Sequence, residues 1–358
     1  MNRTLLRAFA VVLLVLLAFP SAIGAQEETP SLFFDGDAAF DHVANHVGVG
    51  PRPVATAGSI AAGNLILSHL GSLGWQTEED WHIINLGSRS ALPPEAQATL
   101  DLWQPVDIGT LLSGHFAEQN QAIEFDPLYV PVRNLVASSG TGSTIIIGAH
   151  YDSRIYSDKD PDESRRSLPM QGANDGGSGV GVLLELGRVI SEHYTVNQEI
   201  RFVFFDAEDN GRLPPFPTLI PSTQGYLLGS VLYASQLDLN TETIDYMLLL
   251  DLVGEFDQQF PIEGYSSQSA PQIVEQIWQA AADLGYQEQF PNEVRSAITD
   301  DHLPFLQRGI PAVDIIDLDY EYWDTSQDTL DKISPESLER VGRVLELYLL
   351  RSGVITPK

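Results

Sequence analysis

The chain has 358 residues, with 49 acidic and 19 basic side chains, and its formal net charge is −30. Hydrophobic residues make up 43% of the sequence, which is enough for a folded core, and cysteine is absent. The lack of cysteine excludes disulfides, thiolate nucleophiles, iron–sulfur clusters and cysteine-type zinc sites, so any metal must be held by histidine and carboxylates. The large negative charge argues against binding to nucleic acid or to an anionic membrane surface.

The N-terminal residues 1–25 predict a secretory signal peptide. Arg3 and Arg7 precede an uninterrupted apolar run over 8–19, and Pro20 and a stretch of small residues follow it. The apolar run is too short to span a bilayer comfortably, which favours a cleaved leader over a membrane anchor. We therefore expect a secreted or periplasmic protein that has no stable membrane insertion once the leader is removed.

The predicted elements of the mature chain alternate between helices and buried strands. A helix is predicted over 57–73 and a strand over 75–84. Residues 85–126, which are interrupted by glycine, proline and polar residues, are predicted to form an insertion of loops and short strands. Further strands are predicted over 144–149, 200–205, 246–250 and 312–316, and further helices over 177–193, 230–236, 271–284 and 335–350. This alternation predicts an α/β three-layer sandwich, in which one domain over 26–358 has a mostly parallel mixed sheet with helices on both faces.

Acidic residues and one histidine follow the predicted strands. His150 comes directly after the first of these buried strands and Asp251 directly after the third, while Glu208 and Asp209 follow the second. Since the carboxyl ends of parallel strands meet at one edge of an α/β sheet, these side chains are expected to lie together. Histidine and carboxylates suit one or two divalent cations. Neighbouring residues that leave a strand point in different directions, so one acid of the Glu-Asp pair can bind metal while the other acts as a general base.

A further acid, Asp175, lies in the glycine-rich segment 172–179, directly before a predicted helix. Glycine allows close approach of the backbone, and the helix N-terminus can orient the acid. Taken alone, Asp175 is as typical of a plain helix cap as of a metal ligand, and its occurrence together with the strand-end acids favours the ligand. The sequence contains no G-x-x-x-x-G-K-[ST] phosphate loop and no G-x-S-x-G elbow, which disfavours nucleophilic serine chemistry.

Six blocks of sequence, in the same order along the chain, resemble the M28 family of zinc peptidases, which includes aminopeptidases and the related glutaminyl cyclases. The blocks are HYDS at 150–153, GANDGGSG at 172–179, FFDAED at 204–209, LDLVG at 250–254, DDHLPF at 300–305 and WDTSQDT at 323–329. The resemblance covers nearly the whole mature chain apart from 85–126 and the proline-rich segment 212–223. It implies the zinc exopeptidase fold and one or two zinc ions.

The resemblance also implies roles for individual residues. His150 and Asp251 would bind one metal ion, and Asp175 would bridge two ions. Asp209 would bind the second ion, and Glu208 would be the general base that activates the metal-bound water.

Asp324 departs from the family pattern, in which a histidine at this position usually completes the second metal shell. A carboxylate can still coordinate metal, and a second site made of Asp175, Asp209 and Asp324 favours a harder cation such as Mn²⁺ or Mg²⁺, or weaker retention of zinc. Loss of the second ion is the open alternative. His302 is expected to support its loop and not to replace the missing ligand.

Three functions follow from the sequence as alternatives. The first is a metal-dependent aminopeptidase that acts on the N-termini of peptides or proteins. The second is a glutaminyl cyclase, in which Glu208 would move a proton from the α-amine of an N-terminal Gln and Asp301 would assist through hydrogen bonding. The third is a non-catalytic family member with a degenerate metal site. Residues 300–302 and Trp323 favour the cyclase branch, whereas 174–179 favours the peptidase branch.

Overall fold

The structure is a computed structural model that describes residues 30–92, 94–106, 127–210 and 225–358. The predicted signal peptide and residues 107–126 of the predicted insertion lie outside this described part, so the leader stays a prediction. Within the described residues, no helix combines the length and the apolar character needed to cross a membrane. The fold set out below is that of the unit Ser31–Lys358.

Helices and strands alternate along most of the described chain. The helices are α1 (Gly36–Val47), α2 (Ala57–Ser72), α3 (Pro94–Trp103), α4 (Ser178–His193), α5 (Leu228–Gln236), α6 (Gly264–Ser269), α7 (Pro271–Asp283), α8 (Leu303–Gln307) and α9 (Pro335–Arg351). The strands are β1 (Gln76–Ser88), β2 (Pro127–Ser139), β3 (Thr144–His150), β4 (Tyr194–Val196), β5 (Glu199–Phe205), β6 (Ile244–Asp251), β7 (Ala312–Ile316) and β8 (Ile355–Pro357).

Six of the strands form one mixed sheet in the order β1-β2-β5-β3-β6-β7. The pairs β5/β3, β3/β6 and β6/β7 are parallel, whereas β1/β2 and β2/β5 are antiparallel. The chain leaves β3 to form β5 on one side and later returns to form β6 on the other. The strand order therefore reverses at β3, and the crevice at the carboxyl end of such a strand is where open α/β sheets bind ligands.

Helices cover both faces of the sheet. Both faces of the central strand β3 are apolar and require this cover. Ile145 and Ile147 pack in the larger core, which also contains the buried sides of α1, α4 and α9. Ile146 points to the opposite face and packs in a smaller core with residues of α5 and α8, among them Tyr233 and Phe305. Successive residues of a strand alternate between faces, so a continuous apolar run requires cover on both. The predicted three-layer α/β fold is confirmed.

The prediction of loops and short strands over 85–126 was wrong in its described part. Strand β1 continues to Ser88, and Pro94 begins helix α3. Proline is well suited to the first turn of a helix because its missing N–H has no partner there in any case. Trp103, at the end of α3, donates a hydrogen bond from Nε1 to the Val54 carbonyl oxygen at 2.7 Å, which anchors the helix to the domain.

Glu255 lies in the loop after β6 and is close to further acidic residues of the loop after β7. Burial raises the pKa of Glu255 to about 7, and the charges of Asp317 and Asp257 add to the shift. A carboxyl whose pKa is higher in the folded than in the unfolded protein destabilises the fold when it is ionised. That penalty is absent below the unfolded pKa and complete above the folded one, near pH 7.

The variant Glu255→Gln is therefore expected to raise the melting temperature by about 1–3 °C at pH 8 and to leave it unchanged at pH 4. This change in melting temperature corresponds to about 1 kcal/mol in the free energy of unfolding. The effect is small because solvent screens the charge of this half-buried group. Thermal unfolding followed by circular dichroism at both pH values tests the effect. The exposed Glu288→Gln is the matched control. An equal gain for Glu255→Gln at pH 4 and pH 8 would contradict the electrostatic cause.

Candidate metal centre

The predicted site residues come together at the carboxyl ends of β3, β5 and β6, where the strand order reverses. His150 is the last residue of β3, Asp251 is the last residue of β6, and Glu208 and Asp209 follow β5. A cavity of about 670 Å³ opens at this edge. Its wall includes five of the predicted residues, which are Asp175, Glu208, Asp209, Asp251 and Asp324. A cavity of this size can enclose the end of a peptide.

Three donor atoms converge on one point beside the cavity. The Nε2 atom of His150 lies 3.1 Å from Asp175 Oδ1 and 3.2 Å from Asp251 Oδ1. Ligands bound to one zinc ion at about 2.0–2.2 Å are roughly 3.3 Å apart in tetrahedral geometry, so the spacing fits a single ion. The second oxygen of Asp175 is buried and has no hydrogen-bond partner among the described residues. The trio His150, Asp175 and Asp251 therefore fits a divalent cation.

The electrostatics of the trio also suit a cation. Burial lowers the pKa of His150, but hydrogen bonds with Asp152, Asp175 and Asp251 outweigh burial and raise the pKa overall. Burial raises the pKa of Asp175 to about 6, against the opposing effect of His150. The carboxylates therefore favour the protonated form of the metal-free imidazole. A divalent cation would replace that proton, which is the usual exchange when metal binds to histidine.

Asp152 contacts both His150 and the loop that carries Glu208 and Asp209. The sequence analysis assigned it no role. Its Oδ1 lies 3.4 Å from His150 Nδ1, on the far side of the ring from the metal-facing nitrogen. The same carboxylate accepts hydrogen bonds from the backbone N–H groups of Glu208, at 3.2 Å, and Asp209, at 3.1 Å. Such partners fix the orientation of a ligating imidazole. The position of Asp152, two residues after His150, was a usable signal in the sequence.

The turn that carries Asp175 is held by buried charged residues. Asp328 accepts hydrogen bonds from the backbone N–H groups of Asn174, at 2.9 Å, and Asp175, at 3.1 Å. Arg52 is fully buried and donates to the carbonyl oxygen of Gly172 at 2.7 Å. The cap of helix α4 is Gly177, which makes no side-chain hydrogen bond. Asp175 is thus not the helix cap, and its carboxylate is free to face the cavity.

Gly176 shows why this turn is rich in glycine. Its φ is +77°, a left-handed conformation that side chains rarely adopt. A Cβ atom at this position would lie 2.2 Å from the Asp152 carbonyl oxygen and 2.9 Å from His150 Cε1. Any larger residue would therefore push the turn away from the histidine, and the glycine allows the close approach that the trio needs.

Glu208, which the sequence predicts as the general base, lines the cavity. Its Oε2 lies 3.9 Å from His150 Nδ1, and its side chain is 15% exposed. Burial raises the pKa of Glu208 well above its ordinary value against the opposing charge of His150, and the charges of Asp209 and Asp301 add to the increase. A carboxylate with a raised pKa can both accept and return a proton near neutral pH.

Left-handed backbone conformations accompany the site. Ala207, Leu252 and Asp324 have φ values of +57°, +52° and +58°. Ala207 directly precedes Glu208, and Leu252 directly follows Asp251. Such conformations are costly for residues other than glycine and are found where the surrounding structure fixes a functional side chain.

The second predicted set of ligands is close together but is paired with basic side chains. Donor atoms of Asp175, Asp209 and Asp324 lie within 4.8 Å of one another. Arg154 Nη1 donates a hydrogen bond to Asp209 and lies 3.3 Å from Asp324 Oδ1, and Lys159 Nζ forms an ion pair with Asp324 Oδ2. Burial lowers the pKa of Arg154, but Asp209 and Asp324 outweigh it and raise the pKa overall. The sequence analysis did not anticipate either cation.

The structure separates the two acids that precede helix α8. Asp300 lines the cavity, whereas Asp301 is fully buried and is absent from the described part of the cavity wall. Burial raises the pKa of Asp301 to about 7. The catalytic role assigned to Asp301 stays a prediction.

His302, the next residue, is also fully buried. Its Nε2 lies 3.5 Å from Glu263 Oε2, and its Nδ1 lies 3.6 Å from Asp314 Oδ2. The ring thus lies between two buried carboxylates on separate segments. This position agrees with the supporting role expected for His302.

Comparison with known proteins identifies the family of this chain. The family model described as peptidase family M28 matches residues 134–349, a range that contains every predicted site residue. The chain belongs to peptidase family M28. The resemblance drawn from the sequence blocks is thereby confirmed.

The solved structures that resemble this chain include proteins of two kinds. The glutaminyl cyclase of Porphyromonas gingivalis superimposes with a TM-score of 0.72 at 28% identity, covering 90% of this chain and 100% of that one. A Zn-dependent exopeptidase from Parabacteroides distasonis ATCC 8503 superimposes with a TM-score of 0.71 at 32% identity, covering 89% of this chain and 99% of that one. Both likenesses extend over nearly the whole chain.

One curated relative is a glutaminyl-peptide cyclotransferase. The glutaminyl-peptide cyclotransferase of Gloydius blomhoffii is 24% identical over 236 residues, which cover 58% of this chain and 61% of the relative. The chain therefore spans about three fifths of the length of this relative. The chain is thus similar both to glutaminyl cyclases and to a Zn-dependent exopeptidase.

Proposed function

We propose that this M28 protein is a metal-dependent enzyme that acts on the N-terminal residue of peptides, and that its reaction is hydrolysis of the first peptide bond. The observation that supports this function is the position of Glu208. Its carboxylate lines the same cavity as Asp175 and Asp251, two of the three residues of the trio that His150 completes. A base next to a metal-binding trio is the arrangement that hydrolysis requires.

A divalent cation held by the trio would polarise the scissile carbonyl and lower the pKa of a bound water. Glu208 would accept a proton from the attacking water and return it to the nitrogen of the leaving amine. Carboxylates on the cavity wall would attract the free α-ammonium group of the substrate, which restricts the reaction to chain ends. The wall also carries apolar side chains that suit an uncharged N-terminal residue, namely Leu252, Ile298, Ile316, Leu318 and Trp323.

Cyclisation of an N-terminal glutamine is the second candidate. The likeness to glutaminyl cyclases favours this reaction. The two acids at 300–301 also favour it, because burial raises the pKa of both carboxyl groups and that of Asp301 reaches about 7. The α-amine nitrogen would attack the side-chain amide carbon, and ammonia would leave. Glu208 would take the proton from the amine, and a protonated carboxyl would supply one to the leaving ammonia. This reaction brings its own nucleophile and needs no water.

One assay separates the two reactions. Purified protein with Zn²⁺ is incubated with the peptides Gln-Ala-Phe and Leu-Ala-Phe, and the products are followed by mass spectrometry. We expect free Leu and Ala-Phe from the second peptide, and loss of this activity with EDTA that added Zn²⁺ reverses. Conversion of Gln-Ala-Phe alone to a product lighter by one ammonia would assign the cyclase reaction. Inactivity on both peptides with Zn²⁺ and Mn²⁺ supplied would contradict both and leave the non-catalytic alternative.

A further inference from the structure

We infer that Arg154 and Lys159 take the place of a second metal ion, so that the centre binds one divalent cation, at His150, Asp175 and Asp251. The inference rests on the proposed function only for the presence of that first ion. It concerns the second set of ligands, Asp175, Asp209 and Asp324, which the sequence predicts to hold metal. In the structure, two basic side chains form ion pairs with this set.

Arg154 is built into the second set and is not a surface residue that happens to reach it. Its side chain is 4% exposed. Nε and Nη2 contact both oxygens of Asp158, at 2.6 and 3.2 Å, and Nη2 also donates to the Tyr226 hydroxyl at 3.0 Å. Nη1 donates to Asp209 and lies 3.3 Å from Asp324 Oδ1. All three guanidinium nitrogens therefore have partners, as a buried charge requires.

Lys159 completes the pairing of Asp324. Its Nζ forms an ion pair with Asp324 Oδ2 and lies 3.0 Å from the centroid of the Trp323 ring. Each oxygen of the fully buried Asp324 thus faces a different basic side chain. A carboxylate at position 324 can neutralise a guanidinium and an ammonium group at once, which an imidazole cannot do.

The backbone also holds the two loops together. The Lys159 backbone N–H donates to the Asp324 carbonyl oxygen at 3.3 Å. Ser326 donates to Asp160 Oδ2 from its backbone N–H, at 3.2 Å, and from its hydroxyl, at 2.5 Å. The segment that carries Arg154 and Lys159 is therefore joined to the segment that carries Asp324 by contacts independent of the two basic side chains.

A divalent cation cannot share this position with Arg154. An ion bound to Asp209 and Asp324 would lie about 2.1 Å from their oxygens and hence within a few ångströms of Nη1, where like charges repel strongly in a buried site. Displacing Arg154 would leave a buried guanidinium without its carboxylates, which is also unfavourable. Either route opposes a second ion.

The charges of the whole centre agree with a single ion. Seven carboxylates line the cavity, namely Asp158, Asp175, Glu208, Asp209, Asp251, Asp300 and Asp324. One divalent cation together with Arg154 and Lys159 offsets part of their charge and leaves a negative excess, which suits a substrate ammonium group. A second divalent cation would reduce that excess and weaken the attraction of the ammonium group.

The metal content of purified protein tests the inference. Wild type and the double variant Arg154→Met, Lys159→Met are saturated with Zn²⁺, freed of loosely bound metal and analysed by inductively coupled plasma mass spectrometry. We expect one zinc per chain for wild type and two for the variant. The double variant Arg165→Met, Arg166→Met removes the same charge from positions outside the described cavity wall and is expected to stay at one. Circular dichroism checks that each variant is folded.

Titration of metal-free wild type with Co²⁺, followed by electron paramagnetic resonance, gives a second measurement that needs no variant. We expect the signal to rise to one equivalent without magnetic coupling between ions. Two zinc ions on wild type, or a coupled Co²⁺ pair, would overturn the inference alone. A folded Arg154→Met, Lys159→Met variant that stays at one zinc would overturn the role of the two basic residues. Absence of metal from every protein would overturn the proposed function as well.

Discussion

The variant Glu208→Gln is expected to lower kcat/KM by about 10²–10⁴-fold and to leave the metal content unchanged. Glutamine keeps the size of the side chain and its capacity to hydrogen bond, but it cannot accept the proton that the reaction must move. The backbone N–H of residue 208 still donates to Asp152, so the loop is expected to stay in place. Steady-state rates on Leu-Ala-Phe and Gln-Ala-Phe measure the loss for either reaction.

Two comparisons make the Glu208 result interpretable. Glu255→Gln is the same substitution at a half-buried position outside the cavity wall, and it is expected to keep the wild-type rate. Zinc content distinguishes a base from a ligand, because loss of the ion together with the rate would mean that Glu208 binds metal. Full activity of Glu208→Gln with the ion retained would rule out Glu208 as the general base.

The sheet could be predicted where the local signal is strong. The runs that became β3, β5, β6 and β7 are apolar on both faces, and β7 was predicted over its full length, 312–316. Strand β2 was not predicted, because Pro127 and Pro131 argue against a strand by local rules. The structure tolerates them because pairing with β1, where Pro131 lies opposite Ile83, decides the conformation. That pairing is a long-range property that periodicity cannot reveal.

The site residues also differ in whether the sequence could predict their contacts. His150, Asp175 and Asp251 could be placed together from sequence, since strand ends and a glycine-rich turn converge by the topology of the fold. The pairing of Arg154 with Asp324 joins segments far apart in the chain, and no spacing rule relates them. Asp300 and Asp301 could not be told apart from the sequence, although Asp300 lines the cavity and Asp301 does not. Which one does so depends on how the chain enters helix α8.

The variant His150→Ala is expected to abolish activity and to weaken zinc binding by more than about 100-fold. Removal of the ring takes away the one nitrogen that faces both Asp175, at 3.1 Å, and Asp251, at 3.2 Å. Two carboxylates then remain, and they repel each other more strongly without the histidine between them. Competition with a chromophoric chelator measures the affinity. His193→Ala, at the opposite end of helix α4 from the site, is the control and is expected to bind zinc as wild type does.

His150→Ala also locates the ion, which Glu208→Gln cannot do. An ion at Asp175, Asp209 and Asp324 would have no ligand at position 150, and its affinity would change little when the histidine is removed. Wild-type zinc affinity in His150→Ala would therefore contradict the trio and move the ion toward Arg154. Loss of zinc from His150→Ala, together with retention in Glu208→Gln, is the pattern that the proposal predicts, because the first residue would hold the cation and the second would face the substrate.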